Sequence, residues 1–246
     1  AHSLFVDTIR SCRALIVSHL LGHVFQGEGD ARISLLERAL LHRQATAKYS
    51  VFYGEGRDSY DIWGRTAHES IFNVKDGNFR CPGTQQGYSG FSTWTRGLAW
   101  AMCGFAEQLE WIETASGDEL AAHGGKDELK AIFLRAAKAT CDFYIANTPV
   151  DGVPYWDTGA PGLVKIEGCT DKPSDPFNQH EPVDSSAAAI AAQGLLRLGH
   201  YLLENGDEED GKTYWQAGLC VVNTLLSEPY LSTDPAHQGL LLHTIY

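Results

Sequence analysis

Six stretches of helical apolar spacing, joined by alternating short and long connections, leave this chain few folds to adopt. They run from Leu4 to Leu21, Asp30 to Tyr49, Trp94 to Thr114, Asp127 to Ala146, Asp184 to Leu203 and Asp207 to Leu226. In the second, Ile33, Leu36, Leu40 and Leu41 recur on one face; in the fourth, Ile132, Ala136, Ala139 and Phe143 do so, with charges opposite. Gly22 is placed to stop the first helix, Ser92 or Thr93 to cap the third, and Asp184 to cap the fifth. The fifth is rich in alanine, and such small side chains let a neighbouring helix approach closely. Two long segments separate the pairs. Residues 49–90 are rich in Gly and Tyr, and residues 148–183 are rich in Pro. Ser70 to Val74 followed by Asp76-Gly77 predicts a short hairpin in the first of them. Long loops on a rigid scaffold are where sites concentrate. The pattern predicts an all-α toroid of helical hairpins, in a single domain over 1–246, with its site built from the long loops at one end.

Composition narrows the function. Apolar residues make up 43% of the 246, which suits a packed core and not a disordered chain. The net charge is −12, from 19 basic and 31 acidic residues. That disfavours nucleic-acid partners, which need a basic surface. No apolar run reaches membrane-spanning length, so no membrane partner is expected. The six cysteines are scattered, with no Cys-x-x-Cys pair, and read as thiols instead of metal or redox ligands. No metal and no cofactor are expected. The absence of a disulfide pattern leans towards a reducing compartment such as the cytoplasm, with the periplasm as the other possibility.

Residues 86–100, Gln-Gly-Tyr-Ser-Gly-Phe-Ser-Thr-Trp-Thr-Arg-Gly-Leu-Ala-Trp, hold one amide, one guanidinium and two indoles. Arg96 grips carboxylates in a fixed fork. The faces of Trp94 and Trp100 can stack on a sugar ring, and the Gln86 amide can both donate to and accept from hydroxyls. Arg96 and Trp100 are four apart, hence on one helix face. Together they predict a site for an acidic sugar, locally positive within an acidic protein. A plainer reading is a packed Trp pair with Arg96 satisfied by a neighbouring Asp. Asp7, in the apolar run Leu4-Phe5-Val6-Asp7-Thr8-Ile9, is either a first-turn residue favoured by the helix dipole or a carboxyl held there for chemistry. His68 is either an idle loop histidine or a ligand of a sugar oxygen, and His243 either a helix-end histidine or a site residue. Asp184 reads as a cap before it reads as a catalyst. Trp156 and Asp157 lie in the Pro-rich loop that can border the site, but neither is assigned to it.

The block from Gln86 to Trp100 resembles the signature Gln-Gly-Tyr-x-x-x-Ser-Thr-Trp-x-Arg-Gly-x-Ala-Trp of the unsaturated glucuronyl hydrolases (glycoside hydrolase family 88 and its relatives), with every fixed position present. Asp184 to Ala192 is similar to the family's later helix, and Gly239-Leu240-Leu241-Leu242-His243 to its late Gly-Leu-Leu-Leu-His run. The resemblance implies an (α/α)6 barrel, of which these helices make about half; further helices are expected before Asp7 and after Tyr246. It implies that Asp7, in a context of type Ile/Val-Asp-Thr, is the general acid/base. It further implies that His68 and Gln86 contact the sugar, Trp94 and Trp100 stack on it, Arg96 meets the uronate carboxylate, and His243 lies near the centre. A second family Asp lies upstream of this segment. The chain departs from the family at Ile9-Arg10-Ser11-Cys12, where Met-Asn-Leu-Pro is common, and at Gly90-Phe91, where family members often carry Asp.

The implied partner is an unsaturated uronate-containing oligosaccharide, and the implied reaction is hydration. An acid protonates C4 of the C4=C5 enol ether, water adds at C5, and the hemiketal rearranges with loss of the glycosidic bond. Three rivals remain. One is a hydrolase of saturated glycosides using a second carboxylate such as Asp58 or Asp61. Another is a polysaccharide lyase on the same toroid. The third is a carbohydrate-binding relative without activity.

Overall fold

The computed structural model describes residues 2–245. The chain opens on strand β1 (Ser3–Phe5), a 3₁₀ turn (Val6–Arg10) and helix α1 (Ser11–Leu20). A two-stranded ribbon of β2 (Phe25–Gln26) and β3 (Arg32–Ile33) leads into α2 (Leu35–Ala45), which runs on as a π turn over Thr46–Ser50. A hairpin of β4 (Glu69–Phe72) and β5 (Phe79–Gly83) precedes the long helix α3 (Thr95–Thr114). Then come α4 (Gly117–Ala121), α5 (Lys126–Asn147), a 3₁₀ turn over Pro161–Lys165, α6 (Ser185–Glu204) and α7 (Glu208–Leu225). The fourth, fifth and sixth predicted helices stand within one residue of their expected ends, and the hairpin forms where Asp76-Gly77 puts it.

Two predicted helices begin later than their periodicity suggests. Ser3, Leu4 and Phe5 pair antiparallel with the edge of the hairpin, in register Ser3↔Ile71 and Phe5↔Glu69, giving the sheet order β1-β4-β5. Satisfying the free hairpin edge outweighs the helical spacing of these three residues. The second helix starts at Leu35 instead of Asp30, because Arg32 and Ile33 pair with Gln26 and Phe25. Ser34 then caps it, accepting from Glu37 N–H at 3.2 Å. Ile33 therefore leaves the helix, and Leu41 points to solvent at 47% exposure, so the expected apolar face keeps only Leu36 and Leu40. Neither Ser92 nor Thr93 caps α3. The Thr93 hydroxyl donates to Thr66 O and accepts from Thr66 N–H, and Ser92 Oγ closes a turn with Ser89. Trp94 takes the cap position with no side-chain bond.

Helix α3 is the centre of the core. Leu98, Met102, Phe105 and Leu109 are buried against Phe133 and Ala136 of α5 and Ala191, Leu195 and Leu198 of α6. The small residues of α6 act as expected. A Cβ on Gly194 would stand 2.8 Å from Cys103 N of α3, and one on Gly199 2.6 Å from Trp215 N of α7. Such approaches are open only to glycine. The same device on α3 seats the chain's first turn. A Cβ on Gly104 would meet Ile9 Cγ2 at 2.6 Å, and one on Gly97 would meet Val6 Cγ1 at 3.1 Å. Gly97 and Gly104 lie two turns apart on one face, so the Val6–Arg10 turn beds down along α3.

Candidate functional site

Asp7 emerges where β1 ends. Val6 N–H donates to His68 O at 2.9 Å, so the last rung of the strand pair sets Asp7 beside His68. Asp7 Oδ1 lies 3.8 Å from His68 Nε2, and Asp7 Oδ2 lies 4.0 Å from Arg10 Nη2. The turn is anchored on its other side by Thr8 Oγ1, 2.8 Å from His42 Nε2 in α2.

His68 is not an idle loop residue. It is 4% exposed, with its ring 4.6 Å from the Trp94 ring and 5.3 Å from that of Phe5. Its Nδ1 accepts from Gln85 N–H at 3.2 Å and Gln86 N–H at 3.3 Å, with Thr84 Oγ1 also 3.3 Å away. Two converging N–H donors require a lone pair on Nδ1, which places the imidazole proton on Nε2, facing Asp7. Burial holds this imidazole below its ordinary value of 6.5, against the opposing pull of Asp7 and Glu69. The site histidine is neutral, with a fixed tautomer.

Arg96 has the plainer partner that sequence reasoning allowed for, and it is Asp184. Arg96 Nε stands 3.2 Å from Asp184 Oδ2, and the Asp184 side chain is fully buried. Its other oxygen does the work expected of a cap, accepting from Ser186 N–H at 3.0 Å and Ala187 N–H at 3.1 Å. One carboxylate thus starts α6 and neutralises the guanidinium on α3. Neither Arg96 Nε nor Asp184 Oδ2 has an aligned hydrogen-bond partner among the described residues, so the contact is a charge pair. The link between positions 96 and 184 had no signature in the sequence beyond the presence of an Asp.

The indoles are enclosed. Trp94 is 6% exposed and carries the Arg96 guanidinium 5.4 Å from its ring centroid. Trp100 is half-buried, with the Arg10 guanidinium 5.0 Å from its centroid. Gln86 exposes its side chain while its backbone N–H serves His68. The proline-rich loop stitches this segment in place. Thr95 N–H donates to Trp156 O at 3.1 Å, and Tyr88 N–H to Asp157 Oδ2 at 2.9 Å. Asp157 is fully buried, which raises its carboxyl above the ordinary range despite its hydrogen bonds to Gly159 N–H, Ser92 and Tyr88 N–H. His243 stands apart from Asp7 and joins through the backbone. Its carbonyl accepts from Ser185 N–H at 3.1 Å, beside the Asp184 cap, while its ring meets Phe177 edge-on at 5.2 Å. Asp58 and Asp61 are engaged elsewhere. Asp58 pairs with the buried Arg65 at 2.7 Å, and Asp61 accepts from the N–H groups of Gly54, Glu55 and Arg57.

No protein-family model matches the chain. Curated relatives do. An unsaturated glucuronyl hydrolase of Formosa agariphila is 29% identical over 83% of this chain and 40% of its own length. One from Bacillus sp. GL1 is 33% identical over 57% of this chain and 29% of its own. An unsaturated chondroitin disaccharide hydrolase of Streptococcus agalactiae is 27% identical over 94% of this chain and 47% of its own. The chain spans less than half the length of these relatives. The crystal structure of the unsaturated glucuronyl hydrolase of Bacillus sp. GL1 superposes with a TM-score of 0.70, at 23% identity, over 100% of this chain and 52% of that one. A structure of an unsaturated glucuronyl hydrolase specific for heparin superposes with a TM-score of 0.68, at 19% identity, over 99% and 52%. Nearly the whole chain therefore has the fold of these α/α barrels, and the resemblance carried by residues 86–100 extends to curated relatives that are unsaturated glucuronyl hydrolases.

Proposed function

We propose that the protein to which this chain belongs removes a 4,5-unsaturated uronic acid from the non-reducing end of oligosaccharides left by polysaccharide lyases. The observation that carries this reading is the Asp7–His68 pair: a carboxyl facing a neutral imidazole whose proton is fixed towards it. One carboxyl suffices for hydration of an enol ether. Asp7 delivers its proton to C4, and the resulting cation at C5 is stabilised by the ring oxygen. Water adds at C5 as Asp7 takes a proton back, and the hemiketal opens with loss of the glycosidic bond. His68 holds Asp7 in line and meets a sugar oxygen when substrate enters. Gln86 offers its exposed amide to a hydroxyl, Arg96, its charge met by Asp184, offers the free edge of its guanidinium to a sugar oxygen, and Trp94 and Trp100 wall the ring. His243 closes the far side through the start of α6. Glycosaminoglycan disaccharides head the substrate classes to test, because relatives are named for chondroitin disaccharides and for heparin.

A saturated-glycoside hydrolase would need a second carboxyl facing Asp7. The two that the sequence offered, Asp58 and Asp61, are occupied by Arg65 and by three backbone amides. The test is a panel of lyase-generated unsaturated disaccharides beside their saturated counterparts, followed by loss of the ultraviolet absorbance of the conjugated double bond. The proposal predicts loss of absorbance with the unsaturated members and no sugar release from the saturated ones. Release from saturated glycosides at a comparable rate contradicts it.

A further inference from the structure

Arg96 enters the site with its charge already met by a buried carboxylate, so the positive charge that an acidic sugar needs has to come from another residue. Arg10 has the right place. It lies one 3₁₀ turn beyond Asp7, with its side chain 55% exposed and Nη2 4.0 Å from Asp7 Oδ2. Its guanidinium lies over Trp100, 5.0 Å from the ring centroid. Packing on an indole orients a guanidinium and leaves its N–H edges free to fork onto an oxyanion. In the proposed reaction the carboxylate is bonded to C5, the neighbour of the C4 atom that Asp7 protonates. An anion so close to the Asp7 carboxyl falls within reach of a guanidinium 4.0 Å from that carboxyl.

We infer that Arg10 is a substrate-binding and specificity-determining residue, which takes the carboxylate of the unsaturated uronate while Trp100 holds its guanidinium in place. The inference rests on the proposed function. It adds that the acidic group of the sugar is read from the Asp7 turn, by the cation beside the proton donor. Arg10 turns from Asp7 to the incoming carboxylate, so binding the anion also releases Asp7 from its nearest cation.

The test is isothermal titration of Asp7→Asn protein, which keeps Arg10 and binds without turnover, with an unsaturated uronate disaccharide and with its methyl ester. The same titrations are made on Asp7→Asn/Arg10→Met. Methionine keeps an apolar cover on Trp100, and Arg10 is exposed, so folding is unaffected; circular dichroism checks this. The expected result is a preference for the acid over the ester of roughly tenfold or more, the scale of a charge-assisted hydrogen bond, with the preference lost in the double variant. Arg10→Lys restores part of it. A merely structural role for Arg10 would weaken acid and ester alike. An acid preference that survives Arg10→Met overturns the inference and leaves the proposed function standing. Binding of neither ligand, in folded protein, overturns both.

Discussion

At the level of single residues, the site is defined by who holds whose proton. His68 was legible in the sequence only as a loop histidine that the family resemblance assigns to the sugar. Its tautomer was not, because that depends on two backbone N–H groups brought to Nδ1 by the fold. The arrangement has a pH consequence. His68 is depressed in the folded chain, chiefly by burial, and so is His42, by burial and then by Arg43. The unfolded chain therefore binds protons first as the pH drops below the ordinary 6.5. The stability these neutral imidazoles support is full above that pH and is lost as the pH falls through the folded values. Melting temperature should decline below pH 6.5, and His68→Gln should flatten the decline without reversing it. Protonation would also put a third donor among the Gln85 and Gln86 amides, so activity should fall over the same range.

At the level of elements, the start of α6 and the seat on α3 do most of the positioning. The cap at Asp184 was legible because an Asp before an alanine run is a local signal; its second role towards Arg96 was not, because that link is purely tertiary. Two substitutions separate the roles. Asp184→Asn keeps an oxygen for Ser186 and Ala187 and loses only the charge opposite Arg96. Asp184→Ala also loses the cap, a further cost of about 1 kcal/mol, measurable as the difference between the two variants in denaturant unfolding. The glycine seat is equally specific. Gly104→Ala presses on Ile9 at 2.6 Å and should cost about 1–3 kcal/mol in stability. It should also lower kcat, because the displaced element carries Asp7. Gly117→Ala, with nothing within 4 Å, is the matched control and should be close to neutral. The β1 strand shows why the first helix begins later than its spacing predicts. Leu4 and Phe5 have helical spacing, but the edge they cover lies more than sixty residues away in sequence, at Glu69–Ile71.

At the scale of the whole molecule, the order of the six long helices was written in the periodicity, and the close packing of α3, α6 and α7 in the glycines and alanines; the five-residue α4 (Gly117–Ala121) is too short to show a period and was not legible. What periodicity could not supply was how the loops converge, since Thr93–Thr66, Thr95–Trp156 and Tyr88–Asp157 are contacts between segments without regular patterns. The net charge of −12 acts on this scale too. It would repel the proposed anionic sugar at long range, while Arg10, in the role inferred for it, would attract it at short range. Raising ionic strength from about 0.01 M to about 0.1 M shortens the screening length from about 30 Å to about 10 Å. The long-range repulsion should weaken more than the local attraction. Association of an unsaturated uronate disaccharide should therefore quicken over that interval, as read by kcat/KM at low substrate; a steady fall would mean that local contacts dominate the approach.

The central claim is that a single carboxyl, Asp7, hydrates the double bond. Its most direct test is the absorbance assay run side by side on wild-type and Asp7→Asn protein, with binding measured on both. The account predicts that the variant loses about 10²- to 10⁴-fold in rate, as expected for removal of a general acid, while still binding the disaccharide. Turnover by Asp7→Asn at close to the wild-type rate would contradict it.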